Sequence, residues 1–302
     1  MNILITGGAG FIGSNIADSL IDEGHKIIIV DDFSTGKTKN LNPKVIFYNI
    51  DIKNIEFEKI FMEHKIDIIY HLSTEMNVRK SMEQPSSYAD VNIIAGINIL
   101  NMMAKYKVKK IIYSSTGGAI YGEPEYFPVD ENHPIRPLSP YGVSKYCIEQ
   151  YIEFYSSLYG MDYTILRYSN VYGKRQDPQR GTGIIAIFIG AALSNSNPTI
   201  FGDGEQLRDF VYIDDVVSAN KLAMTNGSRN IFNIGAGVDI SINTLYKHVK
   251  KILPDIKEPI YAPRLPGEVF KISLNIDKAK KILNWSPQID IREGLERMVQ
   301  GL

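Results

Sequence analysis

Along the first half of the chain, apolar residues come in short unbroken runs rather than alternating with polar ones. The runs are NILIT (2–6), KIIIV (26–30), VIFYNI (45–50), IDIIYHL (66–72), KKIIYSS (109–115) and DYTILRYS (162–169). Runs of this kind, rich in β-branched residues, are how strands buried on both faces read, and they point to a parallel sheet covered by helices on each side. Between them lie segments with a helical period: in 12–23, Ile12, Ile16, Leu20 and Ile21 fall along one face and Gly24 follows as a C-terminal stop. Six such strand–helix repeats predict an α/β fold with a doubly wound parallel sheet. Beyond about residue 170 the texture changes to long polar loops (173–183, 195–209, 262–268) joined to shorter elements. Loops of that length inside a compact domain are usually functional. Residues 1–170 are therefore expected to form one domain, to which about 209–236 returns through DFVYI and IFNIG. Residues 171–302 are expected to form a second, smaller α/β domain that faces the substrate.

TGGAGFIGS (6–14) sets Gly7, Gly10 and Gly13 in G-x-x-G-x-x-G spacing, directly after the first strand and at the opening of the first helix. That context turns a common glycine pattern into a dinucleotide-binding one, the signature of a Rossmann domain. The first glycine permits a tight turn, the second lets the backbone approach a pyrophosphate, and the third lets helix and strand pack closely. The helix N-terminus adds unpaired N–H groups and partial positive charge. Asp31 stands eighteen residues after Gly13, at the end of the second strand, where such a fold puts the acid that holds the adenine ribose. A carboxylate there repels the extra phosphate of NADP and no arginine follows closely, so NAD is the expected cofactor. Asp32 reads as a turn residue. Asp51, after the third strand, is placed to reach the adenine amino group with Ile52 against the ring, and it fits equally as an N-cap.

SPYGVSKYC (139–147) carries the candidate chemistry. Pro140 can occupy the first turn of a helix, so the prolines before it end where the helix begins. Tyr141 and Lys145, four residues apart, then share one face. A free tyrosine loses its proton near pH 10, so acting as a base near neutrality needs about 4 kcal/mol of preference for phenolate. One cation at about 4 Å in an intermediate dielectric supplies roughly that amount, and Lys145 is expected to acidify Tyr141 in this way. Ser114, Ser115 and Thr116 leave the fifth strand at its C-terminal edge, where open α/β sheets bind ligands. They could offer a hydroxyl to the same substrate oxygen, although turn chemistry is the plainer use of such a triplet.

Bulk composition removes several other classes. The 302 residues suffice for a well-buried core. Lys+Arg number 33 against 34 Asp+Glu, so there is no global basic field to hold nucleic acid. The single cysteine, Cys147, rules out an internal disulfide framework and suits a reducing compartment. The chain enters its first strand at once, without a basic n-region or cleavable apolar segment. Its longest apolar run, IIAIFIGAAL (184–193), is half of a bilayer span. The expectation is a soluble cytoplasmic protein with neither membrane nor nucleic acid as partner. No His/Cys/Asp/Glu cluster has metal-ligand spacing, so no metal is expected.

In order along the chain, these motifs resemble the extended short-chain dehydrogenase/reductase superfamily, and most closely the UDP-glucose (galactose) 4-epimerases. The likeness runs through TGGAGFIGS, HLSTEMNVRKS (71–81), SSTGGAIYGE (114–123), SPYGVSK, LRYSNVYGKRQDP (166–178), IFGDGEQLRDFVYIDDV (200–216), FNIGAG (232–237) and RLPGEV (264–269). The resemblance implies an NAD-using isomerase that interconverts UDP-glucose and UDP-galactose, extending to the N-acetyl sugars, through a bound 4-keto sugar. It makes Tyr141 the catalytic base, Lys145 its tuning group and nicotinamide-ribose contact, and Thr116 or its neighbour Ser115 the partner of the sugar oxygen. The cofactor site it implies takes in Gly7, Gly10, Phe11, Ile12, Gly13, Asp31, Asp51, Ile52, Leu72, Ser73, Asn92 and Ser114, together with Tyr141 and Lys145. For the nucleotide end it implies Asn170 at the diphosphate, Phe201 beside uracil, Arg208 on phosphate and Glu268 on ribose hydroxyls. It also implies a homodimer through helices near 88–104 and 143–158.

Some positions depart from that pattern. Ser73, Thr74 and Glu75 stand where family members often carry small residues and then Gln or Leu. A carboxylate beside a cofactor diphosphate would be repelled, so Glu75 either points to another group or marks a different substrate preference. Leu265 replaces the usual arginine of its turn, with Arg264 one place earlier, and Arg180 and Thr182 leave the sugar specificity open. Gly117 and Gly118 follow Thr116, where 4,6-dehydratases need an Asp-Glu pair, which disfavours dehydration. The alternatives are a UDP-glucuronate 4-epimerase or decarboxylase, with Arg79 or Arg180 to receive the carboxylate, and a non-catalytic NAD-binding regulator. Regulators on this scaffold commonly lose the tyrosine or the lysine, and this chain keeps both.

Overall fold

A computed structural model describes residues 1–178, 183–264 and 269–301. The apolar runs become strands: β1 (Asn2–Thr6), β2 (Lys26–Val30), β3 (Ile46–Tyr48), β4 (Ile68–His71), β5 (Lys110–Thr116) and β6 (Asp162–Tyr168). With β10 (Asn230–Ile234) they form a seven-stranded sheet in the order β3-β2-β1-β4-β5-β6-β10, every pair parallel. Its helices include α1 (Phe11–Asp22), α2 (Phe57–Glu63), the short α3 (Val78–Glu83) and α4 (Pro85–Tyr88), α5 (Ala95–Tyr106), α6 (Pro140–Tyr159) and α8 (Ile213–Leu222).

Side chains alternate across a strand, and here both sides are apolar. Ile3 and Ile5 join the core that holds Ile16 and Leu20 of α1 and Val216 of α8, while Leu4 between them joins Ile60 of α2, Ile99 of α5 and Ile148 of α6. In β2, Ile27 and Ile29 take the first side, and Ile28 and Val30 the second. This explains the unbroken runs: each buried aliphatic side chain contributes about 1.5–3 kcal/mol, and neither face is left to water.

The segment IFNIG enters the large sheet as β10, as expected, but DFVYI does not. It lies in β9 (Leu207–Tyr212), the middle of a three-stranded sheet with β7 (Asn170–Tyr172) parallel on one side and β11 (Asp239–Ser241) antiparallel on the other. β8 (Thr199–Phe201) pairs with β12 (Ile260–Ala262). Around these strands stand α7 (Ile184–Leu193), α9 (Ile242–Ile252) and α10 (Ile291–Gln300). In α9 the buried residues Ile242, Leu245, Tyr246 and Val249 keep helical spacing.

Polar ties join the smaller elements to the large sheet. The Asn220 side chain of α8, fully buried, donates to the Tyr168 hydroxyl at 2.8 Å, and its backbone carbonyl accepts from Tyr70 at 2.9 Å. The Asp209 carboxylate of β9, also fully buried, accepts from the backbone N–H of Ala236 at 2.7 Å and Gly237 at 3.2 Å, just past β10, and of Leu274 at 3.3 Å. Burial pushes this carboxyl up to about 6 while the backbone hydrogen bonds pull it down.

Leu4→Ala is expected to lower stability by about 2–5 kcal/mol, whereas Met62→Ala on the exposed face of α2 should stay within about 0.5 kcal/mol. Denaturant unfolding midpoints of the two variants check the contrast.

Candidate active site

The strand order reverses at β1, whose neighbours are β2 and β4, and open α/β sheets bind ligands outside the carboxyl ends at such a point. The glycine turn lies there. Gly7 has φ +71°, and a Cβ on it would meet the Ser73 backbone nitrogen at 2.7 Å. A Cβ on Gly13 would lie 2.4 Å from the Gly7 carbonyl oxygen. α1 begins at Phe11 with Gly10 as its N-cap and no side chain over its first N–H groups. At the end of β2 the buried Asp31 accepts from Ala9 N and Phe33 N, each at 2.9 Å, one on each carboxylate oxygen. A bare helix start and a buried carboxylate at the end of β2 fit a dinucleotide's pyrophosphate and ribose.

One cavity of about 910 Å³ runs from this turn to β8 and β9. Gly7, Gly10, Phe11, Ile12, Gly13, Asp31, Asp51, Ile52, Leu72, Ser73 and Ser114 line it, as do Ser115, Thr116, Tyr141, Lys145, Asn170, Phe201 and Arg208. Asp51 also closes a local turn, accepting from Lys53 N at 2.9 Å, and Asp32 accepts from Ser34 N. Asn92 is different: it is buried behind the wall, where its amide oxygen accepts from Glu75 N and the Thr74 hydroxyl and its nitrogen donates to Ser144. It shapes the loop after β4 from behind instead of lining the cavity. Glu268, Leu265, Arg180 and Thr182 lie outside the described residues.

The reactive end is built where β5 and α6 meet. Ser139 caps α6, accepting from Gly142 N at 3.2 Å, and Pro140 fills the first helical position. Tyr141 interacts with the Thr116 hydroxyl, which brings these two side chains together in the cavity. Ser115 turns the other way: it is buried and donates to the Glu149 carboxylate. Ser114 pairs with the Tyr168 hydroxyl at 3.1 Å. Of the three hydroxyls, Thr116 is the one directed at Tyr141.

The electrostatics correct the expectation of an acidified tyrosine. Burial pushes the Tyr141 phenol up to about 12, with the Thr116 hydrogen bond pulling the other way. Burial brings Lys145 down to about 7 against the charge of Glu149. The Lys145 ammonium sits 4.3 Å from the centre of the Tyr113 ring, and at Tyr141 burial is the larger influence.

At the far wall, the Asn170 side chain donates to the Asp209 carbonyl at 3.0 Å. Arg208 donates to the carbonyls of Leu207 at 2.9 Å and Phe270 at 3.0 Å. The Arg79 guanidinium lies 4.5 Å over the Phe201 ring. Glu75 points to Lys80 at 3.4 Å, which answers where its carboxylate goes. A side chain on Gly117 would meet Leu274 at 2.6 Å, so an acid following Thr116 has little room.

Two residues of this centre escaped the sequence reading. Glu149 and Arg167 form a buried ion pair directly behind Ser115, with Arg167 Nη2 2.6 Å from Glu149 Oε2. The available signal was periodic: Glu149 continues the four-residue spacing of Tyr141 and Lys145 on one helix, and a charge on a buried helix face needs a partner.

A glycine-lined dinucleotide crevice that opens onto a Tyr-x-x-x-Lys helix and a strand-end threonine defines a dehydrogenase/reductase-type nucleotide enzyme. Residues 3–235 match the model of the NAD dependent epimerase/dehydratase family, and the chain belongs to that family. It is 50% identical to a Methanocaldococcus jannaschii protein that carries the provisional name UDP-glucose 4-epimerase, over 99% of this chain and 98% of that one. The UDP-glucose 4-epimerase of Thermotoga maritima, solved with UDP-glucose, superposes with a TM-score of 0.98 at 47% identity, covering 100% of this chain and 98% of the other. That of Thermus thermophilus, solved with NAD, gives 0.94 at 35% identity, covering 100% and 98%.

Gly13→Ala forces its methyl into the Gly7 carbonyl and is expected to cost about 1–3 kcal/mol. Thermal melts with and without NAD should show a lower midpoint and a smaller NAD-induced rise than in the parent protein.

Proposed function

We propose that this protein is an NAD-dependent UDP-glucose 4-epimerase, interconverting UDP-glucose and UDP-galactose, and that the N-acetyl sugars share the site. The observation that carries the reading is the meeting of Tyr141 and Thr116, with Lys145 one helical turn along, in the same cavity as the glycine turn. The full-length likeness to enzymes of that name supports the choice of sugar nucleotide. The reading divides the chain into a cofactor half, residues 1–170 completed by α8 and β10, and a sugar-nucleotide half from the remainder of 171–302.

In this reading the turn at Gly7–Gly13 and the start of α1 hold the NAD pyrophosphate, and Asp31 the adenine ribose. When bound, NAD supplies a hydride acceptor and then a hydride donor at sugar C4, and in its oxidised form a positive ring charge. Tyr141 removes the proton of the 4-hydroxyl and returns it after the sugar has presented its other face. A phenol held near 12 needs about 7 kcal/mol of added preference for phenolate to act as a base at pH 7. Thr116 contributes through its hydrogen bond, and Lys145 through its charge. Arg208 and Asn170 are the diphosphate contacts, with Phe201 beside the uracil.

A homodimer goes with this reading. Val143, Tyr151, Phe154 and Leu158 are exposed along one face of α6, an apolar stripe that a second copy of the helix would cover. Among the described residues no helix is long and apolar enough to cross a membrane, and a cytoplasmic location is part of the proposal.

Purified protein incubated with UDP-galactose should yield UDP-glucose with no net consumption of NAD. Conversion of UDP-glucuronate alone would overturn the choice of substrate. Tyr141→Phe should lower turnover by about 10²–10⁴-fold in the same assay. In sedimentation, the parent protein should run as a dimer at micromolar concentration, and the Phe154→Asp, Leu158→Asp double variant as a monomer.

A further inference from the structure

Tyr141, Lys145 and Glu149 follow one another at four-residue intervals on α6 and share a face. Glu149 is fully buried. Arg167 of β6 holds it in a fork, Nε to Oε1 at 3.1 Å and to Oε2 at 3.2 Å, with Nη2 to Oε2 at 2.6 Å, and Ser115 of β5 donates to Oε1. Behind the fork, Arg167 Nη1 donates to the Tyr121 hydroxyl at 2.9 Å, which donates to Asn233 at 2.7 Å. The carboxylate is thus pinned between the helix and two strands.

Lys145 is almost as deep, at 2% exposure. From β4 it faces His71, whose imidazole burial holds down to about 3, so that it carries no charge. From β5 it faces the Tyr113 ring, whose phenol burial pushes well above its ordinary value. From its own helix come Tyr141 and Glu149, and Glu149 is the carboxylate that acts on it. Without that negative charge, Lys145 and Arg167 would be two buried cations with no anion between them. An arginine does not give up its proton in a protein, so the lysine would.

We propose that Glu149, clamped by Arg167, is a positioning residue that keeps Lys145 charged on the face it shares with Tyr141, and that Ser115 serves to hold Glu149 and not the substrate. The proposal rests on Tyr141 being the base of the reaction. The arrangement gives the catalytic helix an electrostatic support running inward, from phenol to ammonium to carboxylate to guanidinium.

Glu149→Gln keeps the shape and removes the charge. In the full-length protein the rising limb of kcat/KM against pH, which follows Tyr141 deprotonation, should move up by about one unit, with kcat at neutral pH down about tenfold. KM for the sugar nucleotide should change less than about threefold, since no substrate contact is lost. Tyrosinate absorbance, titrated as the difference from the Tyr141→Phe form of the same protein, should move the same way without turnover, so failure of the assigned reaction leaves this readout intact. An unshifted titration or pH profile would overturn the proposal. Should Glu149→Gln not fold, Ser115→Ala retains the ion pair: a fall in kcat below about fivefold supports the assignment, and a loss of about 10²-fold, the size expected for a group on the substrate, overturns it.

Discussion

Everything at the site depends on parallel strands that all deliver their carboxyl ends to one edge of the sheet. The register aligns Thr6 with Val30 on one side and with His71 on the other, His71 with Tyr113, and Thr116 with Tyr168. Because all seven strands run the same way, each chain reversal at that edge is a loop leading into the next element. The glycine turn, Asp31, the loop after β4 and Thr116 therefore face one cavity, although 110 positions separate Thr6 from Thr116 in the numbering. The packing that enforces this is two-sided: α1 and α8 on one face, α2, α5 and α6 on the other. α6 does two things at once. Its apolar positions, Ile148 and Ile152, hold it to the sheet, and that docking delivers Tyr141 and Lys145 to the crevice.

Burial and chemistry pull against each other at this helix. The same depth that excludes water raises the phenol of Tyr141 and lowers the ammonium of Lys145, each away from the form wanted for proton removal. A magnitude drawn from a free tyrosine underestimates the task, because the reference state should be a phenol already taken out of water. What remains available to the chain is placed charge and placed hydrogen bonds, and the ion pair behind Ser115 supplies the first kind from a distance.

Local rules made much of this readable in the sequence. Strand identity follows from unbroken β-branched runs, the start of α6 from Ser139 and Pro140, and the glycine turn from its spacing between a strand and a helix. Its steric reason is now explicit in the near-contact of position 13 with the Gly7 carbonyl. What was not readable depends on partners far along the chain. DFVYI has the composition of a central strand, yet it pairs with β7 and β11, because strand composition reports burial and not the identity of the neighbour. The hydroxyl triplet could not reveal that Ser115 faces inward, since the direction of a side chain on a strand depends on phase and Glu149 lies 34 residues on. Asn92 was expected at the cofactor and is buried behind the cavity wall, a distinction that spacing does not encode.

Asp209 bears on how the cleft behaves as a mechanical object. Its carboxylate holds the backbone of residues 236, 237 and 274, and its carbonyl receives Asn170, while the neighbouring Arg208 looks into the cavity. The wall that bears Arg208 is thereby stapled to the end of the large sheet through a residue with no solvent exposure. One buried carboxylate thus ties stretches far apart in the numbering, so a change at position 209 would be felt along the whole of that wall.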